Sequence, residues 1–180
     1  DENNLLAGFA GDDVLTGGLG NDILRGGSGA DELYGGGGFD IADYRFSDVG
    51  VSVDLLSGTA AGGEAEGDQL QSIERVFGSD GGDDSLTGDD GNNLLSGFAG
   101  DDILVGGLGN DILRGGAGAD QIDGGDGLDI ADYRFSLLGV SVDLEAQTAT
   151  GGDADGDVLI GIERLYGSNG GSDVLVGDEG

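Results

Sequence analysis

Carboxylates recur in this 180-residue chain at a fixed step of nine. Asn4, Asp13, Asp22, Asp31 and Asp40 form one run, Asp84, Asn93, Asp102, Asp111, Asp120 and Asp129 a second, and Asp173 opens a third. Acid–base catalysis needs one carboxyl set apart from its neighbours by environment, and an even row of acids does not provide that. It suits instead a hard divalent cation held by oxygen. There is no His and no Cys, so the usual ligands of zinc and copper are missing and structural zinc is excluded. Calcium, which takes about six to eight oxygen ligands, is the ion this donor set fits.

The charge points the same way. Asp and Glu number 37 against 6 arginines, for a formal net charge of −31, and 43 residues are Gly. Self-repulsion and glycine entropy both oppose folding of the metal-free chain, and cations relieve the first. Nucleic acid and anionic membrane are poor partners for a chain with so few basic residues, and no apolar run approaches a membrane span. Absence of cysteine fits an extracellular protein that uses metal in place of disulfides, and equally many cytosolic ones. The chain opens in mid-repeat with no signal peptide, and reads as a piece of something longer.

Two nested repeats position the acids. Asn4 aligns with Asn93, Asp22 with Asp111, Tyr44 with Tyr133 and Glu74 with Glu163, an offset of 89 held without a gap. This divides the chain into a unit over 1–89 (block 1–43, spacer 44–78, return to register 79–89) and a unit over 90–180 (block 90–132, spacer 133–167, start of a further block 168–180). Within the blocks, Gly17-Gly18-Leu19-Gly20-Asn21-Asp22-Ile23-Leu24-Arg25 shows the short period. Glycines at its first, second and fourth positions allow a tight turn with inward carbonyls, and the last three residues make a short strand. The eighth position is apolar in Leu6, Leu15, Leu24, Leu33, Leu86, Leu95, Leu104, Leu113 and Ile122, a narrow core on one strand face. Two nonapeptides close one coil, so Asp13 stacks over Asp31 and Asp22 over Asp40.

This pattern resembles the RTX (repeats-in-toxin, hemolysin-type) calcium-binding family, whose nonapeptide is G-G-x-G-x-D-x-U-x. The resemblance implies an all-β, right-handed parallel β-roll or β-helix solenoid with several calcium ions per chain. It also implies that each ion takes carbonyls from the second and fourth positions of one turn and the first and third of the next. For Asp22/Asp40 these are Gly18, Gly20, Gly35 and Gly37; for Asp111/Asp129, Gly107, Gly109, Gly124 and Asp126. For Asp13/Asp31 they are Phe9, Gly11, Gly26 and Ser28; for Asp102/Asp120, Phe98, Gly100, Gly115 and Ala117; for Asp84/Asp102, Asp80, Gly82, Gly97 and Ala99. Asn4 and Asn93 offer a neutral oxygen in place of a charged one. A disordered Gly-Asp linker is the competing reading, and for the metal-free chain disorder is the expected state, because ligand binding and folding are coupled.

Residues 44–78 and 133–167 break the rhythm. Gly50-Val51-Ser52-Val53-Asp54-Leu55 alternates as a half-buried strand does, so the spacers are expected to form wider coils of the same solenoid, flanked by a strand or hairpin. The acidic loop Glu64, Glu66, Asp68 recurs as Asp153, Asp155, Asp157, either as a second kind of calcium loop or as a solvated turn. It is not an EF-hand, since Val158 and Arg164 stand where the glycine and bidentate Glu belong. Arg45 and Arg134 are expected to pair with Asp43 and Asp132. The seventh-position residues Leu5, Val14, Ile23, Ile41, Ile103, Ile112 and Ile130 should point outward, either as strand formers or as a contact face.

Without His, Cys or Lys the chain reads as a non-enzyme. Two functions stand. The first is a calcium-folded structural module of a secreted or cell-surface bacterial protein: a stalk, surface layer, fibre or adhesin segment, exported by type I secretion and meeting further copies head-to-tail or laterally. The second is an accessory or polysaccharide-recognition module of an RTX exoenzyme, which a row of exposed aromatics would support. In sequence, Phe9, Tyr34, Phe39, Tyr44, Phe46 and Phe77 share no single strand face.

Overall fold

The computed structural model describes residues 2–178; Asp1, Glu179 and Gly180, the last two at the end of the further block begun at 168, lie outside the described residues. The chain winds between two parallel sheets. Sheet I stacks Leu5–Ala10, Ile23–Ser28, Ile41–Asp43, Arg75–Phe77, Leu94–Ala99, Ile112–Ala117, Ile130–Asp132 and Arg164–Tyr166 in chain order. Sheet II faces it with Val14–Leu19, Glu32–Gly37, Ser85–Thr87, Ile103–Gly109, Gln121–Gly127 and Val158–Ile160 among its strands.

Within a block the register is the one two nonapeptides demand: Leu5 pairs with Ile23, and Val14 with Glu32. Alternation puts the eighth-position residue inward from both sheets. Leu24, Leu33, Leu86, Leu95, Leu104 and Leu113 are fully buried and belong to one core running through both units. The seventh-position residues point outward, with Leu5, Val14 and Ile103 exposed; Ile130 is the exception, buried to 8 % exposure.

The spacers continue the roll and do not interrupt it. Sheet I passes straight from Ile41–Asp43 to Arg75–Phe77, while sheet II gains Gln69–Gln71, Thr59–Ala61 and Ser52–Asp54, the last two paired as an antiparallel hairpin. Ser141–Asp143 and Thr148–Thr150 repeat that hairpin in the second unit. Two more strands on one sheet than on the other widen the interior, and Tyr44, Val51, Ala60 and Ala65 fill it, all buried. Return to the blocks costs one residue of register. Arg75 pairs with Leu94, a step of 19, whereas Ser85 pairs with Ile103 at 18. The turn from Gly78 to Asp84 is therefore one residue longer than the others.

Candidate metal centre

The sixth-position side chains line the two edges where the chain crosses between sheets, and each edge is a hydrogen-bonded ladder. The backbone N–H of Asp13 donates to Oδ1 of Asp31 at 2.8 Å, and that of Asp22 to Oδ1 of Asp40 at 2.8 Å. Asn4 donates likewise to Asp22, Asn93 to Asp111, Asp84 to Asp102, Asp102 to Asp120 and Asp111 to Asp129. One carboxylate oxygen of each acid thus pins the coil before it.

The other oxygen has no partner. Oδ2 of Asp13, Asp22, Asp31, Asp40, Asp102, Asp111, Asp120 and Asp129 is buried and accepts nothing. An unsatisfied buried polar atom costs about 1–3 kcal/mol, more when charged. Eight of them therefore cost at least about 8–24 kcal/mol, as much as the ~5–15 kcal/mol by which whole domains are stable. These oxygens call for a counter-charge.

The open oxygens face a hollow that backbone oxygens also line. A Cβ added at Gly17 would strike Oδ2 of Asp22 and lie 2.7 Å from the Gly35 carbonyl; one added at Gly8 meets Asp13 and the Gly26 carbonyl in the same way. Opposite, Gly36 approaches the Gly18 carbonyl, Gly38 that of Gly20, Gly27 that of Phe9, and Gly29 that of Gly11. In the second unit Gly106 faces Asp111 and the Gly124 carbonyl, Gly125 the Gly107 carbonyl, Gly118 that of Gly100, and Gly116 that of Phe98. The carbonyls of Ser28, Gly37 and Ala117 accept a cross-coil N–H and keep a second lone pair. Gly20, Gly109 and Gly115 line the same turns; Gly97 stands against Asp102. Asp126 and Ala99 fall on strand positions paired with Leu108 and Ala117. Nowhere among the described residues do three acidic side chains converge. The donor set is one or two carboxylates plus carbonyls, which is calcium's oxygen shell and no soft metal's.

Crowding raises the carboxyl pKa values. Burial, with neighbouring acids adding to it, lifts Asp102 and Asp120 to about 7 and Asp111 to about 6.

Not every rung is open. Oδ1 of Asp68 accepts the Asp31 N–H at 2.9 Å and its Oδ2 accepts the Tyr44 hydroxyl at 3.0 Å. Asp157 repeats this with Asp120 and Tyr133. Asp84 is closed by Ser79, whose N–H donates to Oδ2 at 2.8 Å and whose hydroxyl reaches Oδ1, while Val51 N–H takes Oδ1 as well. The extra residue of that turn lies upstream of Gly82, which still stands 18 before Gly100, and Asp80 falls in the lengthened part. Asp173 accepts from Ser168 and Val140 in the same manner. Asn93 Oδ1 takes the Asp89 N–H and its Nδ2 is buried without a partner, whereas Asn4 is exposed.

Of the acidic loop, then, only Asp68 and Asp157 face the ladder. Glu66 and Asp155 are exposed and accept from Gly62 and Gly151, and Glu64 and Asp153 donate their N–H to Ser47 and Ser136. Glu74 and Glu163 close the other edge by accepting the N–H of Asp40 and Asp129. Sequence reading passed over Glu74, Glu163, Tyr44, Tyr133, Ser79 and Ser168 as ladder members. Their signal was recurrence at 89 outside the nonapeptide step.

The outer face of sheet I holds all six arginines. Asp43 is clamped by Arg25 at 2.7 Å and Arg45 at 2.8 Å, and Asp132 by Arg114 and Arg134. Burial alone would raise Asp43, but the Arg45 and Arg25 guanidinium groups hold it below the usual carboxylate range. Guanidinium groups stack on Phe46, Phe77, Phe39, Phe135 and Tyr166 within 4.7–5.4 Å. The sequence reading that the aromatics share no single strand face holds for Tyr34, on sheet II, and for the interior Tyr44, but the remaining ones, apart from the interior Tyr133, gather on sheet I. Phe39, Phe46 and Phe135 sit between strands and Phe9, Phe77, Phe98 and Tyr166 at or near strand ends, so coil stacking, not alternation within one strand, brings them together.

An all-β parallel roll with glycine turns and oxygen-lined hollows defines a class, the calcium-binding repeat solenoids. The family model for the RTX calcium-binding nonapeptide repeat (4 copies) matches residues 7–42, 78–113 and 96–131, together half of the chain. The chain belongs to the RTX calcium-binding nonapeptide repeat family, and its repeats are calcium-binding repeats. No curated protein matches it.

Proposed function

We propose that this chain is a non-catalytic structural module of a secreted or cell-surface bacterial protein that folds when it meets extracellular calcium. The observation that carries the reading is the set of eight buried carboxylate oxygens without partners. Four facing pairs, Asp13/Asp31, Asp22/Asp40, Asp102/Asp120 and Asp111/Asp129, each hold an ion, with the turn carbonyls assigned above completing the shell. Asp68, Asp84, Asp157 and Asp173, closed by hydroxyl groups, hold none by themselves.

RTX repeats are typical of secreted bacterial proteins, and among the described residues no helix is long and apolar enough to cross a membrane. Repulsion at a net charge of −31 keeps the chain extended where calcium is scarce. Ion binding outside the cell then drives folding by mass action, an arrangement suited to type I export. The uniform 89-residue unit favours a stalk, fibre, surface-layer or adhesin segment. A second reading, a recognition module, is favoured by the aromatic face of sheet I.

Calcium titration of the metal-free chain, followed by circular dichroism and small-angle scattering, tests the first reading. Strand signal and compaction should appear together by millimolar calcium; no change there sinks it.

A further inference from the structure

On the outer face of sheet I, the junction between the units forms a cleft of about 280 Å³ that no open ladder carboxylate lines, although the backbones of Phe98 and Gly115 border both. Arg45 and Phe77 come to it from the first spacer, Phe98, Arg114 and Asp132 from the second block, and Phe135 from the second spacer. Phe77 and Phe98 meet edge to face at 5.6 Å between centroids. Arg114 lies 4.8 Å over Phe135.

One wall is built at a conformational cost. Phe98 has φ +80° and Phe9 has φ +75°, in the turn position that Gly18 (φ +104°), Gly27, Gly36, Gly107 (φ +105°), Gly116 and Gly125 hold in other nonapeptides, and Asp89 in one. A bulky residue in the left-handed region is strained by about 1–2 kcal/mol. Phe98 recovers part of that cost against Phe77 and Arg45, but Phe9, the equivalent residue, is 80 % exposed. A ring kept at such a place, in both units, points to a ligand.

We propose that the cleft binds a pyranose ring of a neutral glycan. Phe77, Phe98 and Phe135 offer apolar surface to the C–H face of the sugar. Asp43 is shared by Arg25 and Arg45 and Asp132 by Arg114 and Arg134, but in the lining itself Arg45 and Arg114 stand with the carboxylates of Asp132 and Asp153, so donors and acceptors lie side by side without net positive charge. Hydroxyl groups need that combination, whereas a polyanion meets a chain of charge −31. The site also repeats. Phe9, Arg25 and Phe46 form one half of an equivalent cleft, and Arg134 stacked on Tyr166 at 4.7 Å forms the other half of a further one. Subsites spaced by one unit along a face suit a polymer, whose binding gains from multivalency.

The proposal rests on the recognition reading above and on the calcium-folded roll. It is tested with the full chain in calcium by isothermal titration with cellohexaose, laminarihexaose, chitohexaose and mannohexaose, with oligogalacturonate as the anionic comparison. At least one neutral probe should bind saturably. Phe135→Ser and Phe77→Thr, both outside the ladder, should weaken it by about tenfold, the scale of losing a stacked ring, with the calcium-induced dichroism unchanged. A normal calcium response with no neutral glycan bound overturns the cleft assignment, as does binding of oligogalacturonate alone or binding indifferent to both variants. Self-association abolished by the variants, without glycan binding, makes the face an interface between copies. Loss of the calcium response itself indicts the fold reading instead.

Discussion

Asp40 and Asp68 stand in equivalent ladder positions, one at the end of a nonapeptide block and the other inside a spacer. Both are fully buried, and both pin the backbone of the previous coil through Oδ1. They differ in what meets Oδ2: nothing for Asp40, the Tyr44 hydroxyl for Asp68. The block leaves its acids open, where the ions proposed above would bind, and the spacer satisfies its own. The second unit draws the same contrast between Asp129 and Asp157. A buried ladder carboxylate is thus either open at Oδ2, as in the blocks, or closed by a hydroxyl, as in the spacers, while Asp43 and Asp132, buried off the ladder, are closed by arginines.

The sharpest way to break this comparison is to remove an open acid. Asp111→Ala deletes both the acceptor for Asn93 N–H and the free oxygen. A hydrogen bond to a charged group is worth about 1.5–3 kcal/mol, so the calcium concentration for half-folding should rise at least about tenfold, read by dichroism. An unchanged midpoint would mean that open rungs do not carry the ions.

Protons should substitute for calcium at the same rungs. Asp102 and Asp120 titrate at about 7 in the folded chain against an ordinary 3.8. A raised folded pKa means that stability from protonation is fully present below the ordinary value and lost as pH rises through about 7. In chelator, strand signal should grow as pH falls from 7 towards 4, and at fixed calcium the apparent affinity should weaken over the same window. A pH-independent metal-free spectrum would count against these shifts.

Tyr44→Phe tests the closed rung. It leaves Oδ2 of Asp68 without a donor, and the short turn Gly63–Ala65 stands where a nonapeptide would bring glycine carbonyls, so no ion replaces the hydroxyl. Denaturant unfolding at saturating calcium should show a loss of about 1.5–3 kcal/mol with ion stoichiometry unchanged. One extra ion bound would show that any buried acid in the roll can recruit calcium. The smallest effect belongs to Glu66→Gln, an exposed residue bonded only within its own loop. Stability should move by less than about 0.5 kcal/mol and calcium binding not at all; loss of an ion would restore the spacer loop as a site.

Much of this was legible in the chain. A period of nine with glycine at fixed places and one apolar residue per strand specifies coil length, register and core, because each contact repeats the one before it. Leu24, Leu33, Leu104 and Leu113 fell inside where alternation put them. The spacers were legible only as alternating strands. Which spacer acids enter the ladder was not, since Glu66 and Asp68 are two residues apart and alike in type, and only the path of the chain sends one out and the other in.

The sequence by itself thus determined a calcium-type donor set and a roll to hold it, through local periodicity. The tertiary structure alone decided which carboxylates remain open, which are closed by Tyr44, Tyr133, Ser79 and Ser168, and that six arginines and their phenylalanines share one face. The tyrosine closures join residues 24 positions apart and the arginine–aromatic stacks join different coils, separations no nonapeptide rule encodes, whereas Ser79 and Ser168 reach acids only five residues on, across a turn one residue longer than the nonapeptide's.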